Sequence, residues 1–338
     1  MQAALESKGV AGKALSWFRS FLTGRTQQVR VGRSLSSPCD VTSGVVQGSI
    51  LGPILYTILS DSLLRQCSFP VAAFADDVKF LADVTSHSSA EVQAEVDKVI
   101  SWSDNNGMQL STEKTVVLHC GCHQPSYDYY IRGIKIQAVN SFSDLGVQRT
   151  SCGKYAGCST SVASKANRVA GAVRKTFHSR AKALLWPAFQ YYVLPVLMYL
   201  TPAWSPKLKC DSDALEKVQR RFTKCISGLH DLPYPVRLDR LHALTLSHRR
   251  TLADMVFIYK CMHGLVNFPA IELGLELNVS NTRSNGCRLY QRHSNSATSA
   301  LFSVRAMSMW NKLPVNIVSC TSLKSFKQSL YNYLFSLQ

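Results

Sequence analysis

The chain has 338 residues, of which 46% are hydrophobic, so it can form two or three folded domains with apolar cores. Residues 1–150 contain 13 basic and 13 acidic side chains, whereas residues 151–338 contain 25 and 8, so the whole net charge of +17 lies in the second part. A folded polycation favours nucleic-acid binding. The eleven cysteines include no Cys-x-x-Cys pair, which argues against a secreted, disulfide-rich protein and for a nuclear or cytoplasmic one without a signal peptide.

The first elements are a short helix and a strand. Apolar residues at helical spacing predict a helix over 14–22, and Thr23-Gly24 ends it. Val29 and Val31 then alternate with polar residues, which is strand spacing.

A glycine-flanked loop, Ser43-Gly44-Val45-Val46-Gln47-Gly48-Ser49, precedes a strongly apolar segment. Leucine and isoleucine pairs recur every four residues from Ile50 to Leu63, which predicts a helix over 50–64 that is buried along a wide stripe. Glycines in such a loop allow a backbone to approach a ligand or another chain closely.

Phe74-Ala75-Asp76-Asp77 is set between the apolar runs 71–74 and 78–81. Two strand-like runs that meet at a polar pair predict a β-hairpin, with Asp76 and Asp77 at its turn. Adjacent carboxylates repel each other, and a hard divalent cation such as Mg²⁺ relieves that repulsion. The alternative is an ordinary solvated turn.

Downstream of the hairpin, Ser89 is the predicted N-cap of a helix that stops near Asn106-Gly107, and residues 142–147 are predicted to form a strand.

Beyond residue 150 the pattern becomes helical and basic. In two helices the cations lie off the apolar stripe: Lys165, Arg168, Arg174 and Lys175 in the first, and Lys217, Arg220, Arg221 and Lys224 in the second. Each set is either a phosphate-binding face or a solvated one.

The segment from Leu184 to Trp204 carries no charge, which raises the possibility of a membrane span. It contains Pro187, Pro195 and Pro202, however, and three prolines favour a buried, broken helical segment. Residues 279–300 are rich in serine, asparagine and arginine and are predicted to form a loop.

Three signals follow one another: the glycine loop feeding a buried helix, the Phe-x-Asp-Asp hairpin, and Gly107-Met108-Gln109-Leu110-Ser111 with Glu113-Lys114. This order resembles the palm of a reverse transcriptase from a non-LTR retrotransposon (LINE-like, jockey or CR1 type), with Val46 where the family usually has proline. Leu145-Gly146 resembles its primer-grip turn. The resemblance continues in Ala203-Trp204-Ser205-Pro206, Leu215-Glu216-Lys217-Val218-Gln219-Arg220-Arg221-Phe222 and Trp310-Asn311-Lys312-Leu313-Pro314.

The resemblance implies an α+β fold. Residues 1–150 would form a partial palm, a small mixed or antiparallel sheet with helices. Residues 151–230 would form a thumb-like helical region, and residues 231–338 a further helical region that contains the 279–300 loop.

The implied activity is RNA-directed DNA polymerisation by two-metal nucleotidyl transfer, with Mg²⁺ or Mn²⁺ bound in the complete parent protein. The partners would be an RNA template, a DNA primer and deoxynucleoside triphosphates, with no membrane involved. Asp76 and Asp77 would be metal ligands, and Lys114 either a proton donor to pyrophosphate or a surface lysine. Gly44, Gln47, Gly48, Ser49 and Phe74 would contact template or nucleotide. The candidate phosphate-backbone contacts are Arg25, Arg30, Lys165, Arg168, Lys217, Arg220, Arg221 and Lys224.

One element of the family's pattern is missing. Its polymerase needs a third carboxylate on an earlier strand, and before Gly44 the only acidic residues are Glu6 and Asp40, neither in an apolar strand run. We therefore expect this chain to be the C-terminal part of a longer element protein and to be inactive alone, because in-line geometry requires the full set of ligands. The alternative is a non-catalytic remnant that binds RNA or DNA.

Overall fold

A computed structural model describes residues 1–121, 125–153, 156–268, 273–276, 288–290 and 302–338. These residues form two compact units, Met1–Asn140 and Ser141–Gln338. Apart from residues 288–290, the predicted loop 279–300 lies outside the described residues. The assignment of residues 1–150, 151–230 and 231–338 to palm, thumb and C-terminal regions stays a prediction.

The first unit combines helices with short strands. Its helices are α1 (Gln2–Glu6), α2 (Gly12–Leu22), α3 (Leu51–Leu64) and α4 (Ser89–Asn105). Its strands are β1 (Arg25–Gln27), β2 (Arg30–Val31), β3 (Ser34–Leu35), β4 (Cys39–Val41), β5 (Val71–Phe74), β6 (Asp77–Phe80), β7 (Val116–Val117), β8 (Tyr130–Ile131), β9 (Ile134–Lys135) and β10 (Gln137–Ala138).

Within the described residues, these strands do not join into the one small sheet that the family resemblance implies. Within the described residues they pair only in twos: β1–β4, β2–β3, β5–β6 and β8–β9 are antiparallel, and β7–β10 is parallel. The strands have two to four residues, so each ladder has few hydrogen bonds and helix packing must supply most of the unit's stability. The mixture of helices with small parallel and antiparallel ladders agrees with the predicted α+β class.

Two apolar clusters hold this unit together. In one, Leu59 and Leu63 of α3 pack with Trp102 of α4, and the Trp102 indole Nε1–H donates a 2.8 Å hydrogen bond to the Ser62 hydroxyl. The second is centred on Phe69, and its other buried members are Val92, Val96, Tyr129, Ile131 and Ile136. Helix α4 therefore contributes to both clusters.

The stripe that α3 buries is narrower than predicted. Its buried residues are Gly52, Leu55, Leu59 and Leu63, whereas Ile54 is exposed and Ile50 is 89% exposed. Apolar residues occupy a wide part of the surface of α3, but the described neighbouring elements cover only the part formed by its four buried residues.

The second unit begins with one hairpin and is otherwise helical. Strands β11 (Ser141–Asp144) and β12 (Val147–Thr150) pair antiparallel around Leu145 and Gly146, so the single strand predicted over 142–147 is instead a hairpin. Both turn residues have positive φ, 47° and 79°, which is the backbone twist that two-residue hairpin loops favour. Its helices are α5 (Ala156–Thr176), α6 (Lys182–Ala188), α7 (Leu194–Met198), α8 (Lys209–Thr223), α9 (Tyr234–Leu241), α10 (Leu246–Met262), α11 (Phe302–Trp310), α12 (Val315–Val318) and α13 (Leu323–Ser336).

A π-turn, Phe189–Val193, connects α6 to α7, with Pro187 inside α6 and Pro195 at the start of α7. The prediction of a broken helical segment is confirmed. Among the described helices, none is both long enough and apolar enough to cross a membrane.

A buried carboxylate in this unit, that of Glu216, joins three helices. Glu216 of α8 accepts hydrogen bonds from the Tyr234 hydroxyl in α9 and, at 2.9 Å, from the Leu246 backbone N–H at the start of α10. Burial, with the negative charge of Glu216, raises the pKa of Tyr234, so the phenol stays protonated and donates. Gln219 adds hydrogen bonds from Nε2 to the Tyr234 hydroxyl, 3.0 Å, and to the Leu244 carbonyl, 3.1 Å.

We expect Glu216→Ala to lower the free energy of unfolding by about 2–3 kcal/mol, because the Tyr234 hydroxyl and the Leu246 N–H both lose a charged acceptor in a buried place. Urea denaturation followed by circular dichroism measures this. Lys217→Ala, on the exposed side of the same helix, is the matched control and should change stability by less than about 0.5 kcal/mol. Equal effects of the two substitutions would contradict the role given to Glu216.

Candidate functional site

The predicted hairpin is present, but its turn lies one residue earlier than expected. Phe74 pairs with Asp77 as the last rung of the β5–β6 ladder, so the two turn residues are Ala75 and Asp76. Ala75 has a positive φ of 52°, which L-residues rarely adopt. Asp76 thus lies at the tip, as expected, whereas Asp77 is the first residue of β6 and not part of the turn.

Both carboxylates face solvent, and neither is in a hydrogen bond or ion pair with another residue that the structure describes. One group outside the hairpin that the negative charge of Asp76 affects is the phenol of Tyr56 on α3. Burial and the negative charge of Asp76 raise the pKa of Tyr56, which places the phenol within electrostatic range of the hairpin tip. The sequence pattern did not single out Tyr56; the signal available was that it is the one aromatic residue in an otherwise aliphatic helix.

The two carboxylates suit a divalent cation only in part. Mg²⁺ is commonly held by one or two carboxylates together with water and substrate phosphates, and Asp76 and Asp77 supply that many. A two-metal centre needs more ligands than one hairpin provides. Within the described ranges, no three His, Cys, Asp or Glu side chains come together as a metal-binding group. The donor set therefore fits one ion and does not fit a pair.

Hydrogen bonds from the Arg25 side chain join the loop Ser43–Ser49 to the preceding segment. The half-buried guanidinium donates from Nη2 to the carbonyls of Gly44, at 2.7 Å, and Ser43, at 3.3 Å, and from Nε to the carbonyl of Leu22, at 2.9 Å. These bonds give Arg25 a structural task that the sequence pattern did not indicate, and its contact with phosphate stays a prediction.

Ser49 and Gly52 fasten the other end of the loop to α3. The Ser49 hydroxyl donates to the Val46 carbonyl, 2.7 Å, and accepts from the Gly52 N–H, 3.0 Å. A Cβ atom at Gly52 would lie 2.8 Å from the Val46 carbonyl oxygen, so only glycine allows this approach. Gly44 and Gly48 differ, since both have open space around them and are required by positive φ values of 80° and 79°.

Helix α3 is therefore linked to both candidate elements in different ways: hydrogen bonds join its first turn to the loop, and the negative charge of Asp76 acts on the Tyr56 phenol. Gln47 and Phe74 are exposed on the loop and on β5. Lys114 lies in the turn before β7, and no hydrogen bond or ion pair with a described residue brings it to Asp76. Arg30 lies apart on the exposed β2–β3 hairpin, where its Nε bonds the Gly32 carbonyl at 3.1 Å.

The predicted cations of the second unit are all exposed, and we call them the basic face: Lys165, Arg168, Arg174 and Lys175 on α5, with Lys217, Arg220, Arg221 and Lys224 on or next to α8. The two helices meet near their C-terminal ends. There Arg174 Nη1 lies 3.7 Å from the Cys225 sulfur, and the Ser227 N–H donates to the Arg180 carbonyl at 2.9 Å. Arg220 already makes a cation–π contact within the unit, because its guanidinium lies 5.0 Å from the Tyr234 ring centroid.

Residues 4–158 match the sequence family described as reverse transcriptase (RNA-dependent DNA polymerase). The chain is similar to the 115 kDa protein of the type-1 retrotransposable element R1DM of Drosophila melanogaster, 26% identical over 63% of this chain and 21% of that protein. It is 28% identical to the Pol polyprotein of the type-1 retrotransposable element R1 2 of Nasonia vitripennis, over 49% of this chain and 44% of that protein. It is 30% identical to the RNA-directed DNA polymerase of the mobile element jockey of Drosophila melanogaster, over 28% of this chain and 12% of that protein. The chain spans less than half the length of each of these relatives.

We expect Gly52→Ala to destabilise the first unit by about 1–3 kcal/mol, because the added methyl overlaps the Val46 carbonyl and must displace the loop or the start of α3. Urea denaturation measures the change. The matched control is Gly171→Ala within α5, where nothing lies within 4 Å of the added Cβ, so replacing a helical glycine should stabilise by about 0.5–1 kcal/mol. A shift of the same sign for both substitutions would show that the close approach at Gly52 is unimportant.

Proposed function

Through residues 4–158 the chain belongs to the reverse transcriptases of non-LTR retrotransposons, and on this premise we propose that its first unit presents the catalytic hairpin of an RNA-directed DNA polymerase palm. The observation that carries the proposal is the β5–β6 hairpin, which presents Asp76 to solvent at its tip, together with the glycine loop that is hydrogen-bonded to the first turn of α3 in the same matched residues. The loop and the hairpin are the two elements that a nucleotidyl-transfer site needs side by side.

The roles follow from the chemistry of each group. Asp76 and Asp77 would hold a divalent cation, which when bound neutralises charge on the phosphate oxygens. Gln47 and Gly48, on the exposed part of the loop with Gly44 and Ser49 around them, would lie against the template and the incoming base pair. Lys114 is the proposed proton donor to the leaving pyrophosphate.

A second candidate function is nucleic-acid binding without catalysis, and the donor set favours it for the chain alone. Among the described residues, Asp76 and Asp77 are joined by no third acidic ligand. Without a carboxylate that bridges two cations, the attacking and leaving oxygens lose their common support. The basic face, in contrast, needs no other segment to attract phosphate.

We expect the chain to show no primer extension on an RNA template with Mg²⁺ or Mn²⁺ above the level of Asp76→Ala, because one hairpin cannot hold the full ligand set. An active reverse transcriptase under the same conditions controls the assay. Robust extension that Asp76→Ala abolishes would overturn this expectation and would mean that another residue completes the site.

Metal binding can be tested without activity. Titration with Mn²⁺, followed by electron paramagnetic resonance, should show weak binding that the double substitution Asp76→Asn with Asp77→Asn removes, since both ligand charges are then absent. Asp128→Asn, an exposed aspartate paired at 2.7 Å with Lys135, is the matched control and should bind like the parent chain. Tight binding of two ions, or equal binding by both variants, would contradict the assignment.

We also propose that the basic face binds the phosphate backbone of RNA or DNA. Its cations are exposed and belong to two helices that meet at one end, so a single strand of phosphates can contact members of both sets. Binding of this kind is largely independent of sequence and falls with salt, because each neutralised phosphate releases condensed counterions.

Reversal of three cations on one helix tests the basic face. We expect Lys217→Glu with Arg221→Glu and Lys224→Glu to weaken RNA binding. The slope of log affinity against log salt should fall by about 0.7 for each phosphate of a single strand that the variant no longer neutralises. Arg220 is left in place because of its stacking on Tyr234. Filter binding over a salt series is the measurement.

The control for this reversal is a triple substitution of the same charge change elsewhere in the second unit: Lys312→Glu, Lys324→Glu and Lys327→Glu, all exposed. If net charge alone governs binding, the two triple variants will lose affinity and slope equally. If the basic face is the interface, the control will keep a slope close to that of the parent chain.

A further inference from the structure

We propose that the aromatic surface formed by Tyr191, Tyr192 and Tyr199 is a stacking platform for unpaired bases of a single-stranded nucleic acid. The inference rests on the proposed nucleic-acid binding and deepens it, since it names the part of the ligand that contacts these rings. The three tyrosines belong to the α6, π-turn and α7 segment, which packs its opposite side into the core of the second unit.

The exposure of these rings is unusual for large side chains in an otherwise apolar segment. Tyr191 is 77% exposed, Tyr192 is 58% exposed and Tyr199 is 52% exposed. Tyr191 and Tyr192 make no hydrogen bond through their hydroxyls and stack on no other ring among the described residues. These two rings are therefore accessible to a ligand.

The π-turn explains why two neighbouring tyrosines face outward together. Leu185, Phe189, Val193 and Leu197 are all buried, at a strict spacing of four residues. An α-helix has 3.6 residues per turn, so this spacing would rotate the buried side steadily around the helix. The wider π-turn takes up the extra residue: Phe189 and Val193 both stay in the core while Gln190, Tyr191 and Tyr192 are exposed between them. Pro195, which has no N–H to donate, favours a break at this point.

The charge of the stretch of chain that contains the platform indicates what covers it. Residues 145–210 contain ten lysines and arginines and no aspartate or glutamate. A polyanion complements that charge, whereas a second copy of the same segment would be repelled. Among polyanions, an unpaired nucleic acid strand also offers base faces, and stacking on tyrosine suits every base because each has a π-face.

Tyr199 fixes one end of the platform. Its hydroxyl donates a 3.0 Å hydrogen bond to the Leu145 carbonyl, and its ring lies against Gly146, where an added Cβ would be 3.5 Å from Cε1. The β11–β12 turn and the end of α7 are thereby held together. Tyr191 and Tyr192 lack such an anchor and are the residues that we assign to the bases themselves.

The test uses the full chain with oligo(U) RNA and with an RNA duplex of the same length. We expect Tyr191→Leu with Tyr192→Leu to weaken oligo(U) binding by about fivefold or more, because base stacking is removed while the phosphate-binding cations stay in place. The salt slope should therefore stay at the parent value, and duplex binding should change little. Filter binding over a salt series measures both quantities.

Two further variants sharpen the result. Tyr191→Trp with Tyr192→Trp should retain oligo(U) affinity, and its added indole fluorescence should be quenched on binding, which reports stacking directly. Tyr130→Leu, a 43% exposed tyrosine in the neutral first unit, is the matched control and should bind as the parent chain does.

Several outcomes would overturn the inference: unchanged oligo(U) affinity in the double leucine variant, an equal loss with duplex RNA, or a loss that Tyr130→Leu shares. So would sedimentation that shows a parent oligomer dissociating in the leucine variant, because the surface would then join copies of the chain. The proposed function is tested separately. If reversal of the basic face weakens binding and the leucine variant does not, only the stacking platform is wrong; if neither variant weakens it, nucleic-acid binding by this unit is wrong.

Discussion

The buried carboxylate of Glu216 sets the arrangement of the second unit. An ionised group is tolerated in a protein interior only when hydrogen bonds replace its water, and here a hydroxyl from α9 and a backbone N–H from α10 do so. The three helices must therefore keep one relative position for the charge to remain satisfied. Lys217 is the next residue along α8 and faces solvent, so the contact that fixes the interior also fixes the direction in which the basic face points.

In the first unit, α3 has the central place that α8 has in the second. Its first turn is tied to the glycine loop by Ser49 and Gly52, and its last turns pack on Trp102 of α4. Tyr56 lies between these two regions, and the negative charge of Asp76 contributes to its raised pKa. The two ends of α3 are thus anchored by different means: a close backbone approach at one end and apolar packing at the other.

Sequence reasoning predicted the features that depend on neighbours along the chain. The hairpin followed from alternating apolar runs, and the basic sides of α5 and α8 followed from helical spacing. The errors have physical causes. Pairing of Phe74 with Asp77 shifts the turn to Ala75, and Ser88 caps α4 in place of Ser89 because Glu91 completes its capping box. The tasks of Arg25 and Tyr56 could not be predicted, since their partners are distant in sequence. The pairing of strands that are distant in sequence, such as β1 with β4 and β7 with β10, was not specified by any local pattern.

The β5–β6 hairpin also exposes the protein to aggregation. Among the residues that the structure describes, β5 and β6 pair only with each other, and an apolar hairpin whose outer edges are open is a template for intermolecular pairing and aggregation. Natural sheets discourage this with charged side chains on edge strands, and β6 carries Asp77 and Lys79. The carboxylate proposed as a metal ligand is thus also one of the charges that keep neighbouring chains apart. A replacement that removed it would change how the protein behaves at high concentration as well as what it can bind.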